Sequence, residues 1–297
     1  MKKIIALSIM AVMMYSLYSQ TLSPQVIASS GGYFEGTNAS LSWTLGEPVT
    51  QTFASGNIIL TQGFQQPITV SVTGINVDVL VYLEGPFAGT MMNTGLNNAG
   101  AIPLNQPYNL PPWNYSGTEN VTAIPNPNIV DWVLVELRDA ASAATATAAT
   151  RIARQAAFLK KDGTIVGTNG TSVLQFNNSV SQQLFVVIWH RNHLGVLSAN
   201  ALTPSGGTYS FNFSTAITQA YGDALGYKLI GSGIYGMAGG DKDADGDVDL
   251  TDLASWKADA GKNGYKSSEF NLDYQVNNQD KNDVLIENLS LSSQVPN

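Results

Sequence analysis

The chain predicts a mainly β protein that ends in a small α-helical segment built around acidic loops. Three observations carry that reading. Only 12% of its 297 residues are charged, while Gly, Ser, Thr and Asn are abundant, as in extracellular β-proteins. Short runs of β-branched and aromatic residues recur between Gly-, Pro- and Asn-rich connections. The acidity is also local. Residues 241–297 hold twelve of the 22 acidic residues and five of the 14 basic ones, so most of the net charge of −8 sits there.

From the start, Met1-Lys2-Lys3 precedes an apolar run from Ile4 to Tyr18. A basic start and a short apolar stretch read as a secretory signal peptide over 1–19, cut after Ser19. The run is too short to span a bilayer comfortably, and no second apolar run of spanning length follows. No membrane span is expected after cleavage, and the product is expected to be secreted or held at a bacterial cell surface. Cysteine is absent, so packing and bound ions must stabilise what disulfides often stabilise outside cells. No basic patch occurs, which argues against a nucleic-acid partner.

Residues 20–67 read as an N-terminal β-module. Leu41, Trp43 and Leu45 alternate with Ser40, Ser42 and Thr44, a half-buried strand. Asn57 to Phe64 is a further strand after the Ser55-Gly56 turn signal, and the unit closes on Leu60 to Pro67. Residues 68–235 read as a β-sandwich body, with strands expected over 69–73, 77–84, 130–138, 152–159, 164–166, 183–190, 195–199 and 208–213. Asp162-Gly163 is a hairpin signal. The Pro-rich stretch 102–127 reads as a long surface loop, and the Ala/Thr-rich stretch 140–150 as an extended connection.

Residues 236–297 read as a separate calcium-binding module. Asp241, Asp243, Asp245, Asp249 and Asp252 fall at the first, third, fifth, ninth and twelfth places of a loop with Gly246 at the sixth. Ca²⁺ takes six to eight oxygen ligands, and this spacing is that of an EF-hand-type loop. Asp247 occupies the seventh place, where the backbone carbonyl is the usual ligand. A degraded copy follows 28 residues on, with Glu269, Asn271, Asp273, Gln275, Asn277 and Asp280 at the same places and Tyr274 where the glycine was. A bulky residue fits positive φ poorly, so one strong site and one weaker or vestigial site are expected. Leu253 and Trp256 form the apolar stripe of a first helix ended by Gly261. Val284, Leu285 and Leu289 do the same after the second loop.

Two such loops, each followed by a short helix, resemble a dockerin module. The resemblance implies docking onto a cohesin-like partner, with Leu250-Thr251 and Asn278-Gln279 setting partner choice. The two pairs differ in chemistry, which gives no support to a symmetric binding mode. Four further phrases are Leu83-Glu84-Gly85-Pro86-Phe87, Trp113 to Glu119, Asp131 to Arg138 and His190-Arg191-Asn192-His193-Leu194-Gly195. Together with the acidic loops they resemble exported surface proteins of the Bacteroidetes, some of them labelled haemagglutinin-like.

No catalytic residues are assigned. His190 and His193 are the two histidines of the chain, and three residues apart on a strand they would point to opposite faces. Glu84, Glu119, Asp131, Glu136 and Asp139 offer no convincing carboxylate pair. Trp113 and Tyr115 are the candidate ligand-binding residues, as aromatics able to stack on sugar or anchor a protein interface. The expected function is adhesion or assembly at the cell surface. The alternatives are a glycoside hydrolase-type protein of a polysaccharide-degrading system and a lectin-like adhesin.

Overall fold

The computed structural model describes residues 30–35, 40–45, 52–55, 58–61 and 74–297. The chain divides into two compact units, Met1–Val72 and Thr73–Asn297. In the first, β1 (Ser30–Glu35) and β2 (Ser40–Leu45) form one antiparallel pair, and β3 (Thr52–Ser55) and β4 (Ile58–Thr61) another. Ser55 lies opposite Ile58, while Gly56 of the Ser55-Gly56 turn signal lies outside the described residues. The signal segment 1–19, the expected strand 69–73 and the closing residues 62–67 lie outside the described residues.

The second unit is mainly β. Its strands begin with β5 (Ile75–Leu80), β6 (Phe87–Ala88), β7 (Met91–Met92), β8 (Ile129–Ala140), β9 (Arg151–Lys160) and β10 (Ile165–Val166). Then come β11 (Leu174–Phe176), β12 (Gln183–Trp189), β13 (Val196–Leu197), β14 (Thr203–Ser205), β15 (Thr208–Asn212), β16 (Tyr227–Gly231) and β17 (Ile234–Met237). An antiparallel sheet runs β10-β9-β8-β12-β13, and a second runs β11-β5-β15-β14 with β15 parallel to β5. Both sheets feed one core, which holds Val77 and Val79 of β5 with Val135, Phe158, Val186 and Ile188 of the larger sheet.

Strand β8 explains much of this packing. It is central in its sheet and is buried along nearly its whole length. Its alternation places Trp132, Leu134 and Glu136 on one face and Val133, Val135 and Leu137 on the other. A strand covered on both faces reads as a near-continuous apolar run. The Pro-rich stretch 102–127 helps bury this strand instead of merely crossing the surface. Trp132 Nε1 donates to the Pro103 carbonyl at 2.8 Å, Tyr108 Oη donates to the Trp132 carbonyl at 2.8 Å, and Ile102, Tyr108 and Tyr115 join the core. The Asp162-Gly163 signal forms a tight turn between β9 and β10, with Gly163 at φ +83°. The stretch 140–150 differs from its expected extended form. It folds into two 3₁₀ turns, Ala143–Thr145 and Ala148–Thr150, because Ser142, Thr145 and Thr147 hydroxyls satisfy the turn backbone.

Residues 236–297, expected as a module of their own, lie inside the second unit. A helix covers Leu250–Asp259. A π-helical turn, Asp280–Leu285, continues into a 3₁₀ turn, Ile286–Asn288. Trp256, Phe270, Val276, Val284 and Leu285 make a small cluster, flanked by Leu253 and Leu289. So few apolar residues cannot stabilise a free-standing unit of this size. Leu272 instead enters the main core, and the Leu96 amide donates to its carbonyl at 3.1 Å. Among the described residues, no helix is long and apolar enough to cross a membrane.

Candidate metal centre

The first acidic loop is shaped by its own carboxylates. Asp249 caps the helix that follows, accepting from the Thr251 amide at 2.6 Å, and Asp252 reaches back to the Asp249 amide at 2.8 Å. This reciprocal pair is a capping box. The other Asp252 oxygen accepts from the Lys242 amide at 2.7 Å, which ties the start of the loop to its end. Ala244 and Gly246 take φ of +58° and +98°, and the glycine turns the chain without Cβ strain. Backbone bonds from Val248 to Leu291 and from Ser293 to Gly246 clamp the loop against the C-terminal tail.

Oxygens of Asp241, Asp243 and Asp252 come within 4.8 Å of one another. Ligands across a Ca²⁺ ion at 2.3–2.6 Å stand about 5 Å apart, so the spacing fits that ion. Asp241 Oδ1 is buried and has no hydrogen-bond partner among the described residues. Burial, then Asp252, Asp245 and Asp243, push its carboxyl up to about 8. Burial also raises Asp243 and Asp252. Such crowding is unfavourable without a cation, and a hard divalent ion would relieve it.

The second loop repeats this geometry 28 residues on. Asp280 accepts from the Phe270 and Asn277 amides at 2.7 and 2.8 Å, as Asp252 does from Lys242 and Asp249. Asn277 accepts from the Gln279 amide, and Asp273 from the Gln275 amide, each matching a bond in the first loop. Leu272 and Tyr274 take φ of +55° and +86°, the counterparts of Ala244 and Gly246. Tyr274 thus holds a glycine-like conformation against its side chain. Asn271 Nδ2 donates to Asp273 across the loop.

The opening residue separates the loops electrostatically. Glu269 is buried and accepts from the Asp273 amide at 2.6 Å through Oε1. Among the described residues its Oε2 has no hydrogen bond, and it lies 3.9 Å from Arg191 Nη2, which has none either. Burial outweighs the pull of Arg191 and lifts Glu269 to about 8. A fixed guanidinium stands beside the second loop, and among the described residues no basic side chain bonds Asp241 in the first.

Arg191 belongs to a buried polar cluster that sequence reasoning missed. The two histidines do not splay, because β12 ends at Trp189 and both sit in the turn beyond it. Their Nδ1 atoms are 3.1 Å apart. Asp131 Oδ2 receives Arg191 Nε at 2.9 Å and lies 3.2 Å from His190 Nε2, while Oδ1 receives Tyr265 Oη at 2.7 Å. At the far end, His193 Nε2 accepts from the Gly85 amide at 3.2 Å. The hydrogen-bond network therefore assigns neutral rings, His190 protonated on Nε2 and His193 on Nδ1. Burial lowers both histidines, and His193 well below its ordinary value. Burial alone would raise Asp131, but Arg191 and His190 hold it below the usual range. Asn192 completes the seat by donating to the carbonyls of Ser267 and Glu269.

The remaining candidates are engaged in structure. Glu84 pairs with Lys228 at 2.6 Å and accepts from the Gly239 amide. Glu136 pairs with Arg138 at 2.8 Å, and Asp139 accepts from Ser181 and Gln182. Tyr115, expected as an exposed stacking ring, is instead 8% exposed and donates to Glu119. The tight Gly117 that follows lies against its ring. Trp113 is half-buried, edge-on to Tyr108 at 5.0 Å, and lines a cavity.

No family model matches the chain, and no curated protein does. A chain from a crystal structure of a type II cohesin-X-dockerin complex of Acetivibrio cellulolyticus, an N-terminal interface mutant, is similar at 12% identity and a TM-score of 0.36. That match covers 73% of this chain and 97% of the other. At such a TM-score the likeness carries no argument about fold, site or partner.

Proposed function

We propose that the protein is an exported, calcium-loaded binding protein, acting in adhesion or assembly at a bacterial surface through a dockerin-like pair of loops. The observation that carries this reading is the recurrence of the same carboxylate-to-amide bonds and the same positive-φ pair 28 residues apart. Two loops built alike imply one ligand chemistry. Asp241, Asp243, Asp245, Asp249 and Asp252 would hold the tighter ion, with the carbonyl of Asp247. Glu269, Asn271, Asp273, Asn277 and Asp280 would hold a weaker one, with the carbonyl of Gln275.

A protein partner is supported by what the first helix leaves uncovered. Leu250 is 70% exposed at its start, beside exposed Thr251. An isolated apolar side chain at a helix start, next to the ion loop, suits a docking contact that calcium orders. Asn278 and Gln279 are also exposed but polar, which agrees with a one-sided binding mode. Binding in place of catalysis is supported by the engaged carboxylates and by the His190–His193 chain, which ends on a backbone amide instead of a nucleophile.

Calorimetric titration of the mature chain with Ca²⁺, paired with melting curves in calcium and in chelator, tests the proposal. A tight site, a weaker site and a higher Tm with calcium are expected. Binding at one hundred times Kd stabilises by about 2.7 kcal/mol. Identical melting curves and no heat of binding would overturn the calcium reading.

A further inference from the structure

The face of β8 that carries Glu136 and Arg138 opens onto a cavity of about 400 Å³, also lined by Trp113, Arg151, Arg154 and Trp189. That volume lies within the range of small-molecule sites, roughly 300–1,000 Å³. The charges on this wall do not cancel. Glu136 stands among three guanidinium groups, those of Arg138, Arg151 and Arg154. Arg138 is held in place: its Nε donates to Glu136 at 2.8 Å and its Nη1 to the carbonyls of Ala146 and Pro296. Arg151 is only loosely held, 3.6 Å from Glu136 and 39% exposed at its side chain. Arg154 uses Nη1 on the Trp113 carbonyl at 2.7 Å and lies over the Tyr115 ring, 5.2 Å from its centroid. Burial lowers Arg154, and the neighbouring Arg151 adds to the shift against the pull of Glu136.

Asp241, Asp245 and Asp247 of the first loop also line the cavity. Asp241 and Asp245 are ligands of the proposed calcium ion, which would offset their charge and leave the guanidinium groups to set the sign of the ligand. A ligand that fits carries an anionic group for those donors. Trp113 and Trp189 add aromatic surface, which favours a ring with an apolar face.

We propose that this cavity binds a carboxylate-bearing saccharide, a uronate residue, with Arg151 and Arg154 holding its carboxylate. Guanidinium groups suit this role because their planar donors match a carboxylate in two parallel bonds. The inference goes beyond the calcium reading and rests on it only in that a bound ion offsets the charge of Asp241 and Asp245.

The test is calorimetry on calcium-saturated mature protein with two probes, a disaccharide ending in glucuronate and the methyl ester of the same compound. The acid should bind, and the ester at least tenfold more weakly, because esterification removes the charge and leaves the ring. Arg151→Gln should weaken the acid at least tenfold, while its melting temperature and calcium isotherm stay those of the wild type. Arg151 is exposed, so this variant should fold normally. Arg154→Gln should show a comparable loss. No heat with the acid at millimolar concentration, equal affinity for acid and ester, or wild-type affinity in Arg151→Gln would each overturn the proposal. The calcium isotherm, measured separately, shows whether the ion sites stand or fall independently.

Discussion

Gly85→Ala should loosen the second acidic loop from the sheet body. A Cβ placed on Gly85 would lie 1.8 Å from the Phe270 carbonyl oxygen and 2.6 Å from its carbon. Both are backbone atoms, so no side chain can swing away. The two segments must separate by more than an ångström, and overpacking of this kind costs about 1–3 kcal/mol. Separation also breaks the Gly85 amide bond to His193 Nε2, leaving a buried acceptor, worth about 1 kcal/mol more. The sum is roughly 2–4 kcal/mol, or about 5–15 °C in Tm for a unit of this length. Phe270 directly follows Glu269, so the weaker calcium site should suffer while the tighter one persists. Gly74→Ala is the control, since its Cβ would meet nothing closer than the Phe176 carbonyl at 3.9 Å. Thermal melts in excess calcium and calorimetric titrations of both variants provide the readout. A Gly85→Ala protein melting within about 2 °C of wild type, with both isotherms intact, would refute the reasoning.

Asp252→Ala should abolish the tighter calcium transition and also cost about 1–3 kcal/mol by leaving the Asp249 and Lys242 amides without their acceptor, whereas Glu269→Ala should spare that transition; calorimetry separates the two. Tyr274→Gly should tighten the second site by up to about thirtyfold, since it removes a left-handed strain of about 1–2 kcal/mol. Its ring packs on the core, so global stability should rise little, and a second isotherm unchanged from wild type would contradict the strain argument. Stability at saturating calcium should fall as pH drops below about 6.5. The folded state keeps His190 and His193 neutral with lowered pKa, and the unfolded chain takes up those protons, at up to ~1.4 kcal/mol per pH unit per histidine. Denaturant melts at pH 7.5 and 5.5 test this, and His193→Gln should flatten the profile. Leu250→Asp should leave calcium binding intact and reduce attachment to the host cell surface, measured by cell fractionation; unchanged attachment would remove Leu250 from the proposed docking contact.

What the sequence determined by itself was local in origin. Ion-loop spacing, capping residues and turn glycines act over a dozen residues or fewer, so Asp241 to Asp252 and its copy were legible, as was the positive φ at Tyr274. Strands β8, β9 and β12 were legible for the same reason, because alternation and β-branched runs are properties of neighbours in the chain. Tertiary structure decided everything that depends on where a strand stops and what lies opposite. The histidines meet because β12 ends one residue earlier than its apolar run suggested. Asp131 faces Arg191 and Tyr265 across 60 and 134 residues of chain, distances no local pattern encodes. Tyr115 is core because the loop beneath it closes on β9. The phrases around Gly85, Asp131 and His190 are scattered in the sequence, yet they converge into one seat for the second loop. The physical reason is burial: a charged group inside a protein needs a partner from whichever segment folds against it, and only the packed chain shows which segment that is.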